Sequence, residues 1–278
     1  MKVYSHSDKL NASKKKHTAK STGLVPTMGV LHEGHITLVK KALSENELVI
    51  VSIFVNPTQF DNSDDLKNYP KTLKSDILKL KSLNSNIWIY APEVSDLYDS
   101  FVEPKLYDFG SLETVMEGSH RKGHFQGVAT IVEKLFRVLK PSSAYFGEKD
   151  FQQLLIIKAL VEYKKIPVTI VSCPIIRHED GLAMSSRNKH LSSIQRAIAP
   201  IIYETLLKAV ELKGKSTPDQ IGLWINDFFK HQSGIELEYF NIANEESLEK
   251  ISNIKDAKAR AFIALKLGQI RLIDNIKF

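Results

Sequence analysis

The chain has 278 residues, enough to bury a sizeable core in one large domain or two unequal ones. Lys and Arg exceed Asp and Glu by 38 to 32, a formal charge of +6 that suits anionic ligands but lacks the concentrated basic charge of a nucleic-acid-binding protein. No apolar run reaches the length of a membrane span and Met1 to Leu10 has no hydrophobic signal core, so the expectation is a cytoplasmic protein with no membrane and no nucleic-acid partner.

The N-terminal stretch is polar and weakly patterned, and its Lys14-Lys15-Lys16-His17 run reads as solvated surface. Leu24 and Val25 then end a short strand, Pro26 and Gly29 force a turn, and Ile36, Val39 and Leu43 mark one face of a helix. Between strand and helix lie Pro26, Thr27, Met28, Gly29, Val30, Leu31, His32, Glu33, Gly34 and His35. Free backbone N–H groups and the positive end of the helix dipole at this entrance favour an anion. Gly34 removes a side chain that would block its approach, and His32 and His35 add directed donors, so the reading is a nucleotide phosphate site. A zinc site of the His-Glu-x-x-His type needs histidines four apart on a helix, whereas these are three apart with no third ligand nearby. The blander alternative is a pair of histidines that only cap and pack.

Residues 48–55 form a continuous apolar run, a strand covered on both faces, which ends in Asn56-Pro57-Thr58-Gln59-Phe60 at the ligand edge of an open parallel sheet. Gln59 both donates and accepts, which suits a hydroxy acid, although a turn capped by Gln59 would look the same. A charged segment, 61–69, leads into a helix over 72–83 and a strand over 87–90. Residues 117–124 are basic and glycine-flanked and read as a surface loop, mobile near the phosphates. Val128, Ile131, Val132, Leu135, Phe136 and Leu139 then recur at helical spacing, a core helix that stops at Pro141.

A short strand at 144–146 delivers Gly147, Glu148, Lys149 and Asp150 onto a loop before a helix over 152–163. Glycine allows close approach, Lys149 offers a cation to phosphate, Asp150 offers an acceptor to a ribose hydroxyl, and Gln153 projects from the first helical turn. Residues 168–176 look like a buried strand that carries the single cysteine, Cys173, as a core thiol rather than a nucleophile. This alternation predicts an α/β fold, with a Rossmann-like parallel sheet and helices on both faces spanning residues 1–175.

Past it, Ser185, Ser186 and Arg187 place two rotatable hydroxyls and a planar fork of donors in a row, a group that can close on triphosphate oxygens. A cap at Ser192 or Ser193 precedes a helix over 194–212, and Thr217 with Gln220 has the form of a capping box with Pro218 at the first helical position. Strands follow at 235–242, 259–267 and 270–273, the last two joined at Gly268-Gln269 by a hairpin. Residues 176–278 therefore predict a smaller C-terminal α/β domain that carries the Met-Ser-Ser-Arg phosphate loop.

Four stretches occur in one order: Pro26-Thr27-Met28-Gly29 with His32-Glu33-Gly34-His35, Phe54-Val55-Asn56-Pro57-Thr58-Gln59-Phe60, Gly147-Glu148-Lys149-Asp150-Phe151-Gln152-Gln153, and Asp180-Gly181-Leu182-Ala183-Met184-Ser185-Ser186-Arg187-Asn188. Together they resemble the pantothenate synthetase (pantoate–β-alanine ligase) family, over nearly the whole chain from about residue 23 to Asn275. The first and last also look like the His-x-Gly-His and Met-Ser-Lys signatures of class I aminoacyl-tRNA synthetases and related nucleotidyltransferases. The resemblance implies a two-step ligation in which pantoate is adenylated by ATP, releasing pyrophosphate, and β-alanine then displaces AMP to give pantothenate, a coenzyme A precursor. It implies that His32, His35 and Lys149 contact the ATP phosphates, with His35 as proton donor, and that Ser185, Ser186 and Arg187 complete the clamp. Gly147 and Asp150 match positions near the ribose, Ile176 and Met184 match positions near the nucleotide, and the stretch from Pro26 to His35 and Glu148 join the ATP-binding set. Gln59 and Gln153, with Asn56, match the positions that hold pantoate or β-alanine. Mg2+ is implied with the phosphates, its protein ligand unassigned, and so is a homodimer. The chain departs from the family pattern at Lys71, where arginine is common, at His190, where tyrosine is common, and at Val30, which replaces a frequent alanine.

Two rivals remain at this level. A nucleotidyltransferase that passes adenylate to a phosphate acceptor would call for basic side chains where Gln59 and Gln153 stand. A non-catalytic nucleotide- or RNA-binding protein rests on the basic balance alone.

Overall fold

A computed structural model describes residues 1–60, 63–83, 86–98, 102–253 and 258–278; Asp61 and Asn62, which open the charged segment, lie outside the described residues. The apolar runs become parallel strands β1 (Lys2–Tyr4), β2 (Thr22–Thr27), β3 (Leu48–Ile53), β4 (Ile87–Tyr90), β5 (Ser143–Gly147) and β6 (Thr169–Cys173). Their connections carry α1 (Ser7–Lys16), α2 (Glu33–Glu45), α3 (Ser63–Asn68), α4 (Leu73–Lys81), α5 (Val94–Leu97), α6 (Met116–His120), α7 (His124–Leu139) and α8 (Phe151–Lys164). Alternation along the strands assigns the two faces. Leu24, Leu48 and Ile50 pack with Leu10 of α1, Val128 and Leu135 of α7 and Leu154 of α8. Val25, Val49 and Val51 pack on the other side with Ile36 and Val39 of α2 and Leu80 of α4.

The sheet order is β1-β4-β3-β2-β5-β6, with every neighbouring pair parallel. From β2 the chain steps outward through β3 and β4, then returns to place β5 on the other side of β2. The order reverses between β2 and β5, so the connections leaving their carboxyl ends diverge and open a crevice, the ligand site of such sheets.

Several expectations need correction. The weakly patterned start forms edge strand β1 and helix α1, and Lys14 Nζ donates to the carbonyls of Leu139 and Lys140 at the carboxyl end of α7. Strand β6 is not buried throughout: it pairs only with β5, and of its residues only Cys173 is buried. Residues 117–124 are not a surface loop but α6 and the entry to α7, with Glu117, Gly118 and His124 buried. Their polarity misleads because the ion-pair partner of Glu117 is Arg271, 154 residues away.

Beyond the first sheet, Ser192 caps α9 (Ser193–Ile198), and α10 (Ile201–Glu211) follows as a separate helix rather than a continuation. Pro200 separates them, since it lacks the N–H and its ring obstructs the preceding turn. The Thr217–Gln220 capping box opens α11 (Pro218–Lys230). Strands β7 (Ile235–Asn244), β8 (Ala259–Leu267) and β9 (Ile270–Lys277) form an antiparallel sheet in that order. Ala261, Ile263, Leu265 and Leu267 of β8 face a core with Leu206 of α10 and Ile225 of α11. Phe262 points the opposite way, onto Phe151 at 5.9 Å between ring centroids, and so seats the small sheet against the loop that leaves β5. Among the described residues no helix is long and apolar enough to cross a membrane.

Candidate active site

A cleft of about 260 Å³ opens where β2, β3 and β5 end. From the first motif, Pro26, Thr27, Met28, Gly29, His32, Gly34 and His35 line it. Val30 and Leu31 are buried outside its lining and Glu33 is exposed. His32 stands at the N-cap of α2, and its backbone N–H donates to His35 Nδ1 at 3.3 Å. A backbone N–H can only donate, so His35 carries its proton on Nε2. His35 thus does cap its helix. His32 reciprocates, its ring turned toward the N3 backbone N–H and its Nδ1 buried at the edge of the cleft. Burial, with His35 and Lys149 close by, holds His32 down to about 3; burial also takes His35 down to about 4 against the pull of Asp150. Both rings are neutral at pH 7.

Gly34 lines the cleft and also makes room within the turn itself. A Cβ there would meet His32 Cε1 at 2.9 Å, so glycine is what lets the His32 ring lie where it does.

At the end of β3, the buried Asn56 fixes the orientation of Gln59. Asn56 Nδ2 donates to the Gly127 carbonyl and to Gln59 Oε1, both at 3.1 Å. With its oxygen taken, Gln59 turns its amide nitrogen toward Met28, at 2.8 Å from Sδ, on the cleft wall. Past β5, Gly147, Lys149, Asp150 and Gln153 line the cleft, and Lys149 Nζ lies 3.3 Å from Asp150 Oδ1. Glu148 does not line it: the side chain pairs with Arg260 at 3.2 Å. Asn275 of β9 donates to the carbonyls of Glu148 and Lys149, each at 2.9 Å, and so holds this loop from the small sheet. Ile176, Met184, Ser185, Ser186 and Arg187 line the facing side, where Met184 N–H bonds the Ile176 carbonyl and Ser185 Oγ accepts from Arg187 N–H. Lys71 lies outside this cleft, on a neighbouring groove with Thr72.

The sequence reading missed Arg121 and His124, which also line the cleft. His124 Nδ1–H donates to the Gln59 carbonyl at 2.8 Å, which leaves Nε2 to accept from Arg121 Nη1 at 2.9 Å. Burial and the adjoining Arg121 push His124 down to about 4, so it stays neutral and aims the guanidinium. The signal was a basic cluster immediately before an apolar helix. Among the described lining residues the cleft therefore sets Arg121, Lys149 and Arg187 against a single carboxylate, Asp150. Such a surplus of donors and cations, next to a helix amino terminus, suits a polyphosphate.

The pantoate-beta-alanine ligase family profile matches residues 2–277. Pantothenate synthetase of Flavobacterium psychrophilum is 51% identical over 259 residues, 92% of each chain. A crystal structure of the Thermus thermophilus enzyme superposes with a TM-score of 0.93 at 38% identity, covering 100% of this chain and 99% of that one. The pantoate–β-alanine ligase of Francisella tularensis, complexed with β-γ ATP and β-alanine, superposes with a TM-score of 0.83 at 38% identity, covering 100% and 97%.

Proposed function

The chain belongs to the pantoate–β-alanine ligase family, which joins pantoate to β-alanine as pantothenate, and we propose that it does so in two steps through a pantoyl adenylate. A pantoate carboxylate oxygen attacks the α-phosphorus of ATP and the bond to the bridging oxygen breaks, so pyrophosphate leaves. The β-alanine amine then attacks the acyl carbon, AMP departs with the electron pair of its ester oxygen, and the nitrogen sheds a proton.

The charge layout of the cleft carries this reading. Charge accumulates on the departing phosphates in the first step, and the α2 amino terminus, His32, His35, Lys149, Ser185, Ser186 and Arg187 give the cleft the donors and cations that would stabilise it. Gln59 and Gln153 are neutral amides suited to the hydroxyl and carboxylate of pantoate. No enzyme nucleophile is needed, in keeping with Cys173, whose thiol is buried and pushed up by that burial. Among the described residues no group of three or more His, Cys, Asp or Glu side chains is arranged to hold a metal. Magnesium would enter with ATP, and its charge would offset that of the phosphates.

The decisive assay supplies ATP, magnesium and pantoate, with and without β-alanine, and follows AMP and pantothenate by mass spectrometry. Pantothenate and stoichiometric AMP with both substrates are expected. Folded protein that binds ATP yet forms neither product, and instead adenylates a phosphate acceptor, would overturn the ligase reading.

A further inference from the structure

The turn between β2 and α2 holds a conformation that its own residues disfavour. Val30, buried and branched at Cβ, lies at φ +54°, next to Gly29 at φ +84°. A β-branched residue in the left-handed region is an outlier, so contacts outside the turn must hold it. Helix α4 supplies them. Asp76, only 1% exposed, accepts from Val30 N–H through Oδ2 at 3.0 Å and from Leu31 N–H through Oδ1 at 2.9 Å. Thr72 Oγ1 accepts from the same Val30 N–H at 3.0 Å and donates its own proton to Asp76 Oδ2 at 2.9 Å. Lys79 Nζ, almost one helical turn beyond Asp76, donates to the Leu31 carbonyl. Two successive N–H groups and the carbonyl that precedes His32 are thus taken by one face of α4. None of these side chains, from the N-cap Thr72 to Asp76 and Lys79 of α4, lines the cleft.

We propose that Thr72, Asp76 and Lys79 are positioning residues for adenylation: by holding Val30 left-handed they aim His32 and the first N–H groups of α2 at the triphosphate, a role that rests on the function proposed above. His32 is the next residue along from the clamped peptide, so any relaxation of Val30 toward negative φ rotates that peptide and swings the imidazole away.

The test couples two substitutions. Asp76→Asn keeps the shape but removes one acceptor and sets an amide donor against a backbone N–H, so kcat for pantoate-dependent pyrophosphate release is expected to fall about thirtyfold while the pantoate KM stays within about twofold. Glycine adopts positive φ without strain, so the same Asp76→Asn loss measured in a Val30→Gly background should shrink to about threefold. Equal losses in the two backgrounds would overturn the proposal, since an Asp76 that merely supports α4 cannot be rescued at residue 30. Lys79→Met alters an exposed side chain, leaves folding intact and is expected to lower kcat about threefold; an unchanged kcat would remove Lys79 from the clamp. Imidazole NMR signals of His32 and His35, recorded without substrate, should shift in Asp76→Asn and move back in the double variant. Unshifted signals would sink the clamp. They decide it even if the unsubstituted chain proves inactive on pantoate, an outcome that would instead refute the proposed function.

Discussion

Lys149 and Gln153 stand four positions apart on the same connection, yet the cleft asks different things of them. Lys149 is expected to meet charge that grows only as the α-phosphorus is attacked, so Lys149→Ala should lower kcat about a hundredfold with little change in the pantoate KM. Unaltered turnover in stopped-flow pyrophosphate release would take Lys149 out of the mechanism. Gln153→Ala removes a neutral contact to bound substrate, and the pantoate KM should rise about tenfold with kcat largely kept; a wild-type pantoate titration would refute the assignment. Both residues were legible in the sequence because they follow a short apolar strand, where side chains of a parallel sheet emerge toward ligand. Asp76 was not. A carboxylate in an amphipathic helix looks like solvated surface until the fold sets it against Val30, 46 residues earlier.

At the level of elements, β3 and β4 could be read because each is a nearly continuous apolar run, and α7 because its apolar residues recur at helical spacing, whereas edge strand β1 has no such run. What escaped were pieces whose burial is supplied from far along the chain. Helix α6 is the clearest case: the Glu117 carboxylate accepts from both Arg271 Nη groups at 2.6 and 2.7 Å and from Tyr239 OH at 2.8 Å, joining the first sheet's connections to β7 and β9. Burial opposes this carboxylate, but Arg271 and Tyr239 hold it below the usual range. Arg271→Ala would leave Glu117 and Glu238 without their shared cation, and the expected loss is about 3 kcal/mol in urea unfolding. A change below about 0.5 kcal/mol would show that solvent screens the cluster. The helix break at Pro200 escaped for another reason: the apolar pattern runs through it, and periodicity alone does not register a missing N–H.

For the whole molecule, the three depressed histidines set a pH response. His32, His35 and His124 hold folded-state values of about 3, 4 and 4, below the ordinary 6.5. Between those limits the unfolded chain binds more protons than the folded one, so stability is complete above pH 6.5 and declines as pH falls from 6.5 toward 4. A thermal-melt series from pH 8 to 4 should show Tm dropping through that window, ahead of the acidic loss from the paired Glu133, whose carboxyl sits at about 2. Tm flat from pH 7 to 4.5 would refute this. Phosphates bound beside His32 and His35 favour the protonated rings, so a non-hydrolysable ATP analogue should bind more tightly at pH 6 than at pH 8 and take up protons as it does.

Asn275 bonds the carbonyls of Glu148 and Lys149 across 127 and 126 residues of sequence. On the ribosome this imposes an order of events. The parallel strands can pair while synthesis is still under way, but the loop that presents Lys149 is secured only after β9 has emerged and docked. A nascent chain stalled before Asn275 would therefore lack both hydrogen bonds that fix the backbone of Glu148 and Lys149.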